Sequence, residues 1–196
     1  MGDSTQDWYD QHAAEYAKST RSIDMDSQRR RFLALVPPHG RILDMGCGSG
    51  RDAHAFLRCG FQVDARAASA ALTDQAASLI GQPVQQQDVR DLSDRMALDG
   101  IWLFAVLLHI PYNHVPGVLL RLAHALKPHG ILHISVKEGT GAREDGGRQF
   151  YDWRQEKLVD VINQTRLLHV VESWIDADSA RDLDWIHVHA RRISEA

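Results

Sequence analysis

Four apolar runs punctuate the chain, each bounded by glycine, proline or charge. Ile42, Leu43 and Met45 make the first, a short buried strand that follows Pro37-Pro38-His39-Gly40. Residues 61–67 make the second. The third, residues 99–111, is the longest and suits a central parallel strand buried on both faces. Residues 131–137 make the fourth. Between the runs, apolar positions recur at three- and four-residue steps. That spacing predicts helices over 52–58, 72–80 and 115–126, the last with Val118, Leu119, Leu122, Ala123 and Leu126 on one stripe. Trp8, Tyr9, His12, Ala13 and Tyr16 follow the same steps and predict one helix over 8–18. Another helix is expected over 26–36, with Arg29-Arg30-Arg31 on a solvated face. Residues 138–149 are glycine-rich and charged and read as a mobile loop or a solvated hairpin. A helix over 153–164 follows, and residues 167–175 and 184–190 alternate as an antiparallel end pair. The whole predicts an α/β fold: a Rossmann-like, mostly parallel sheet of about seven strands with helices on both faces and a C-terminal antiparallel hairpin.

The first strand runs into Gly46, Gly48 and Gly50 and then into a helix. Strand, glycine turn and helix form the opening unit of nucleotide-binding α/β domains. Glycine lets the backbone turn sharply and lets a ligand approach without Cβ atoms in the way. Asp44 ends the strand at the sheet edge where such folds bind ligands. A carboxylate there repels a pyrophosphate and attracts a cation. The pattern is Asp-x-Gly-x-Gly-x-Gly rather than the Gly-x-Gly-x-x-Gly of dinucleotide folds.

Composition narrows the class. With 196 residues the chain suits one domain over 1–196, divided into an N-terminal helical lid (1–36) and a core (37–196). The net charge of −4 lacks the basic excess of a nucleic-acid-binding surface. Cys47 and Cys59 form neither a disulfide framework nor a metal spacing, and a reducing cytoplasm fits. No metal site is expected. The polar, acidic start is no signal peptide, and no run approaches the roughly 18 apolar residues of a membrane span.

The stretch around Asp44 resembles motif I of the class I S-adenosylmethionine-dependent methyltransferases. The resemblance implies that Asp44 helps hold the ammonium end of the cofactor while Gly46, Gly48 and Gly50 pass beneath its sulfonium and ribose. It extends the cofactor site to Cys47, Arg51, Ala68, Ser69, Val89 and Phe104. The family places a ribose-binding acid at the end of the second strand, and here that position is Ala67. Asp64 cannot replace it: it lies roughly 10 Å earlier on the opposite face of the strand. Asp88 corresponds to an acid that meets the adenine amino group, or else caps a turn. The pattern Tyr9-x-x-His12-Ala13-x-x-Tyr16 matches the N-terminal lid of small methyltransferases, placing Tyr9 or Tyr16 at the site.

Residues 99–111 resemble motif IV of a small bacterial, tellurite-resistance-type subgroup. This sets His109 beside the transferred methyl as a catalytic base or substrate contact, the alternative being a structural histidine. The subgroup carries a segment similar to residues 143–150; here it follows a strand's carboxyl end, so Arg143 and Arg148 either reach an anionic substrate or lie on a solvated hairpin. Trp185 is kept, a proline within 179–183 is absent, and His187 stands where asparagine is expected. The function implied is methyl transfer from S-adenosylmethionine to a small molecule, with no nucleic-acid or membrane partner and the oligomeric state open. Three alternatives stand beside it. One is an NADP enzyme with Arg66 on a ribose phosphate. Another is a methyltransferase fold that has lost its cofactor and serves as a binding protein. The third is the same fold turned to another reaction.

Overall fold

The computed structural model describes residues 3–178 and 183–194. The chain opens with α1 (Asp3–Gln11), α2 (Ala13–Arg21) and α3 (Asp26–Leu33). The single helix expected over 8–18 is thus two. The break falls at His12, whose Nδ1 and backbone N–H both approach the Trp8 carbonyl, at 2.8 and 3.0 Å. A side chain competing for that carbonyl turns the chain without ending its helical course.

The core then alternates strand and helix: β1 (Arg41–Met45), α4 (Arg51–Arg58), β2 (Gln62–Ala67), α5 (Ala70–Ile80), β3 (Gln85–Gln86), β4 (Leu98–Phe104), α6 (Val115–Ala125) and β5 (Leu126–Lys137). A hairpin of β6 (Gly141–Asp145) and β7 (Arg148–Asp152) follows, then α7 (Gln155–Gln164), β8 (Leu168–Asp178) and β9 (Leu183–Arg192). Seven strands form one sheet in the order β3-β2-β1-β4-β5-β9-β8. All its pairings are parallel except those of β9 with β5 and β8. This is the expected fold class, with the end pair in the sheet as predicted.

Alternation along β4 sorts the core into two layers. Ile101 and Leu103 face α6 and α7, with Leu119, Leu122, Leu158 and Ile162. Trp102 faces the other layer, with Phe32, Ile42 and Phe56. Gly100 has no side chain because Phe32 fills the space: a Cβ there lies 2.8 Å from the Phe32 ring.

One expectation needs correction and one pair of alternatives resolves. The run over 99–111 is strand only as far as Phe104. Ala105 takes a left-handed conformation (φ 56°), and 3₁₀ turns follow at Leu107–His109 and Tyr112–His114. The residues stay apolar because the turn is itself buried, with Leu107, Leu108 and Ile110 in the core. Of the two readings of residues 138–149, the structure shows the hairpin. These residues supply β6 and the start of β7, joined by Gly146 and Gly147 with φ of 58° and 83°, as a two-residue hairpin turn of the I′ type requires.

Candidate functional site

The carboxyl ends of β1 and β4 open into a cavity of about 1000 Å³, roofed by α1 and α2 and walled by β5, β7 and β9. Its floor is the glycine turn. The N–H groups of Gly46 and Cys47 both donate to the Arg66 carbonyl on β2, at 2.7 and 2.9 Å, which ties the turn to the sheet. Gly46 has a φ of 81°, and a Cβ there would lie 2.1 Å from Val106 Cγ2. Gly50 (φ 79°) opens α4 and packs against Ala76 on α5. Gly48 (φ 53°) faces Tyr16, whose ring lies 3.3 Å from the Cβ position. Each glycine is therefore required by backbone conformation as well as space.

Asp44 lies at the floor of this cavity, buried, and accepts a hydrogen bond from Ala53 N–H at 3.0 Å. Burial, then the nearby Asp52 carboxylate, push its pKa well up. Burial also raises the Cys47 thiol, with Asp44 adding to it. Arg51 points back to Asp52 in a two-point ion pair, with Nε 3.0 Å from Oδ1 and Nη2 2.7 Å from Oδ2. Asp52 also takes Arg29 Nη1 at 2.9 Å and Trp102 Nε1 at 3.1 Å. Sequence reading missed Asp52 as the centre of this network. An acid in the first turn of the helix behind a glycine loop was the available signal.

His109 projects into the cavity from the buried turn after β4. Its Nδ1 lies 2.7 Å from the Gln149 carbonyl, and its Nε2 lies 3.0 Å from Tyr9 Oη. A carbonyl only accepts, so Nδ1 carries the hydrogen and Nε2 accepts from the Tyr9 hydroxyl. Burial pushes the imidazole down to about 4 and the Tyr9 phenol up. Phe104 lines the same space, its ring stacked between Trp102 and Trp185 at 5.9 and 5.6 Å. Lys137, Arg143 and Arg148 complete the far wall around Phe150.

The structure thus brings together Tyr9, Tyr16, Asp44, Gly46, Cys47, Gly48, Arg51, Phe104 and His109, with Gly50 shaping the turn beneath them. Ala67, Ala68, Ser69, Asp88 and Val89 lie outside the cavity lining. Ala67 is 3% exposed. Gln6 on α1 donates to the Ala68 carbonyl at 3.1 Å, and Asp10 Oδ1 accepts from Ser69 Oγ at 2.5 Å and from Ala71 N–H at 3.1 Å. Asp88 bonds the backbone N–H and the guanidinium of Arg90. Burial opposes ionisation, but those bonds prevail and bring its pKa to about 2. Val89 is packed in the core. The expected change at 179–182 lies outside the described residues, while Trp185 and His187 reach the cavity. No cluster of metal-ligand side chains occurs among the described residues.

A family model described as a methyltransferase domain matches residues 16–174. A search of curated proteins finds no match. Among solved structures, the chain is similar to the 1,6-didemethyltoxoflavin-N1-methyltransferase of Burkholderia thailandensis, crystallised with 1,6-didemethyltoxoflavin and S-adenosylhomocysteine. The TM-score is 0.82 at 20% identity, covering 97% of this chain and 88% of that one. It is similar to the [4+2]-cyclase SpnF, with a TM-score of 0.75 at 15% identity and 97% of each chain covered. It is also similar to a TehB-like S-adenosylmethionine-dependent methyltransferase of Corynebacterium glutamicum, with a TM-score of 0.73 at 18% identity, covering 93% of this chain and 98% of that one. At these identities the likeness is one of fold.

Proposed function

The chain belongs to the methyltransferase-domain family, and we propose that it methylates a small molecule held between the N-terminal helices and the wall formed by β5 and β7. Its cofactor is S-adenosylmethionine. The observation that carries this reading is Asp44: a buried carboxylate at the head of a glycine turn, with Ala53 N–H as its hydrogen-bond donor. An ammonium beside it offsets both its desolvation and its repulsion from Asp52. Gly46, Cys47 and Gly48 line the cavity beside that carboxylate, and Tyr16 lies over Gly48. The residues present therefore fit the amino-acid end of the cofactor. When bound, S-adenosylmethionine supplies a methyl group on a sulfonium, already a good electrophile.

What remains for the protein is to position, enclose and manage protons. A neutral His109 with a pKa near 4 is a weak base at neutral pH, and its Nε2 already accepts from Tyr9. We therefore assign the Tyr9–His109 pair to orienting the acceptor side of the cavity rather than to proton abstraction. Residues 1–36 act in this reading as a lid on one unit spanning 1–196. Arg66 bonds Asp94 through both terminal nitrogens, at 2.6 and 2.9 Å, and Gln87 at 2.8 Å, so the residue an NADP enzyme needs is already engaged.

The finer placement near the tellurite-resistance-type subgroup rests on the likeness of residues 99–111. A cytoplasmic location rests on the two free cysteines, Cys47 buried and Cys59 exposed. No helix among the described residues is long and apolar enough to cross a membrane. The test is calorimetric titration with S-adenosylhomocysteine. Binding in the micromolar range supports the reading; absence of binding overturns it.

A further inference from the structure

We propose that the acceptor is a small organic anion whose charged group sits among Lys137, Arg143 and Arg148. The proposal rests on the methyltransferase reading of the same cavity and names the class of molecule it takes. The three cations come from β5, β6 and β7 and gather around one ring. Lys137 Nζ lies 4.1 Å from the centre of Phe150, Arg143 Cζ 4.6 Å and Arg148 Cζ 5.1 Å. Phe150 is buried, so its ring holds them on the cavity side. Among the described residues, Arg143 alone of the three has carboxylates in contact, Asp152 at 2.7 Å and the exposed Asp145 at 3.6 Å. Lys137 and Arg148 have no carboxylate in ion-pair contact among the described residues.

The cost of this grouping is visible in Lys137, whose pKa is lowered by burial and then by Arg143 and Arg148. Asp152 and Asp145 offset part of this from a distance, but three like charges on one half-buried wall, two of them with no carboxylate in ion-pair contact among the described residues, form an incomplete site. An aromatic face offsets a cation only partly. An anion completes it. Arg148 carries a further mark. Its guanidinium stacks 4.1 Å over Trp8, yet its Nε is buried with no hydrogen-bond partner among the described residues. A planar fork with spare donors suits a carboxylate or a phosphate.

The location makes this an acceptor seat. His109 lies in the same wall: its ring is 4.8 Å from Phe150, and its Nδ1 is anchored to the carbonyl of Gln149, the residue after Arg148. The Trp8 and Phe150 rings give the ligand an apolar, flat-sided neighbourhood. The anionic group acts as a handle, because cations gathered around the nucleophile itself would hold its lone pair back.

The experiment uses the full chain loaded with S-adenosylhomocysteine and three probes of similar shape: benzoate, phenyl phosphate and neutral benzyl alcohol. Calorimetry should show binding of at least one anion that weakens with added salt, and benzyl alcohol at least ten-fold weaker. Benzoate against phenyl phosphate decides which oxyanion is preferred. Arg148→Gln and Lys137→Gln should each lower anion affinity about ten-fold with S-adenosylhomocysteine affinity unchanged, and Arg148→Lys should restore part of it. Equal binding of benzyl alcohol, or anion affinity unchanged in both glutamine variants, overturns the proposal. A chain that fails to bind S-adenosylhomocysteine but binds benzoate through Arg148 defeats the methyltransferase reading and leaves the anion seat standing.

Discussion

The carboxyl ends of β1 and β2 lie side by side in the sheet, yet they are built in opposite ways. At the end of β1, Asp44 is buried with no cation in ion-pair contact among the described residues, and burial and Asp52 push its pKa up. At the end of β2, Arg66 and Asp88 both have charged partners. Arg66 is held by Asp94, whose pKa that contact lowers, and Asp88 is held by Arg90. The β2 residue beside the glycine turn is Ala67, and α1 lies over Ala68 and Ser69. A satisfied edge has little to offer a ligand. An unsatisfied carboxylate stores interaction that a cationic group can collect. In the proposed function, cofactor recognition belongs to the β1 end and the β2 end is chiefly structural.

The largest expected effect tests the turn on which the β1 end depends. Gly46→Val combines a positive φ with a Cβ 2.1 Å from Val106. Strain and overpacking together should cost about 2–5 kcal/mol, a large part of a typical domain's stability. A thermal melt should show a marked drop in midpoint or no folded protein; an unchanged midpoint would mean the turn is misplaced.

Asp44→Asn keeps the shape and the Ala53 bond but removes the charge. Affinity for S-adenosylhomocysteine should fall about ten- to a hundred-fold, with the melting midpoint preserved or raised. Equal affinity in titration calorimetry would remove the β1 end from recognition and erase the contrast.

Ala67→Asp attempts to make the two ends alike. It restores a carboxylate where a ribose acceptor is expected, and affinity should rise up to about ten-fold. The free protein should melt lower, because the new charge is buried. An unchanged affinity would show that the cover of α1 excludes this edge altogether.

The mildest test is pH. Asp44 protonates above the ordinary carboxylate range, and its protonated form attracts no ammonium. Affinity for S-adenosylhomocysteine should therefore weaken as pH is lowered, while Arg66–Asp94 stays intact because Asp94 titrates lower than an ordinary carboxylate. Folding stability depends on His109 as well, in the opposite sense to the buried Asp44. His109 sits near 4 against about 6.5 in an unfolded chain. Below 6.5 the unfolded chain takes up the proton that the fold refuses, so this contribution is complete above 6.5 and lost as pH falls toward 4. Calorimetric titrations and melts across that range separate the two.

Much of the β1 end was legible in the chain. Ile42 and Leu43, the three glycines and the helix after them obey local rules, and local rules do not need a partner. The same holds for the parallel order of the strands, which follows from alternating periodicities. The turn after Phe104 was less legible, because burial keeps a turn as apolar as a strand and conceals where the chain leaves the sheet. The hairpin at Gly146-Gly147 was signalled by its glycines, but the charged residues around them masked its two strands.

By itself, then, the sequence determined the α/β class, the glycine turn, the placement of Asp44 at its head and the absence of a carboxylate at 67. These depend on spacing and residue type within a few positions of each other. The tertiary structure decided what each polar group meets. It joined Tyr9 to His109 across 100 residues, brought Arg29 and Trp102 to Asp52, and gathered Lys137, Arg143 and Arg148 around Phe150. It also laid α1 over the end of β2. Such pairings join elements far apart in the chain, and whether a charge is left with or without a partner depends on how those elements pack.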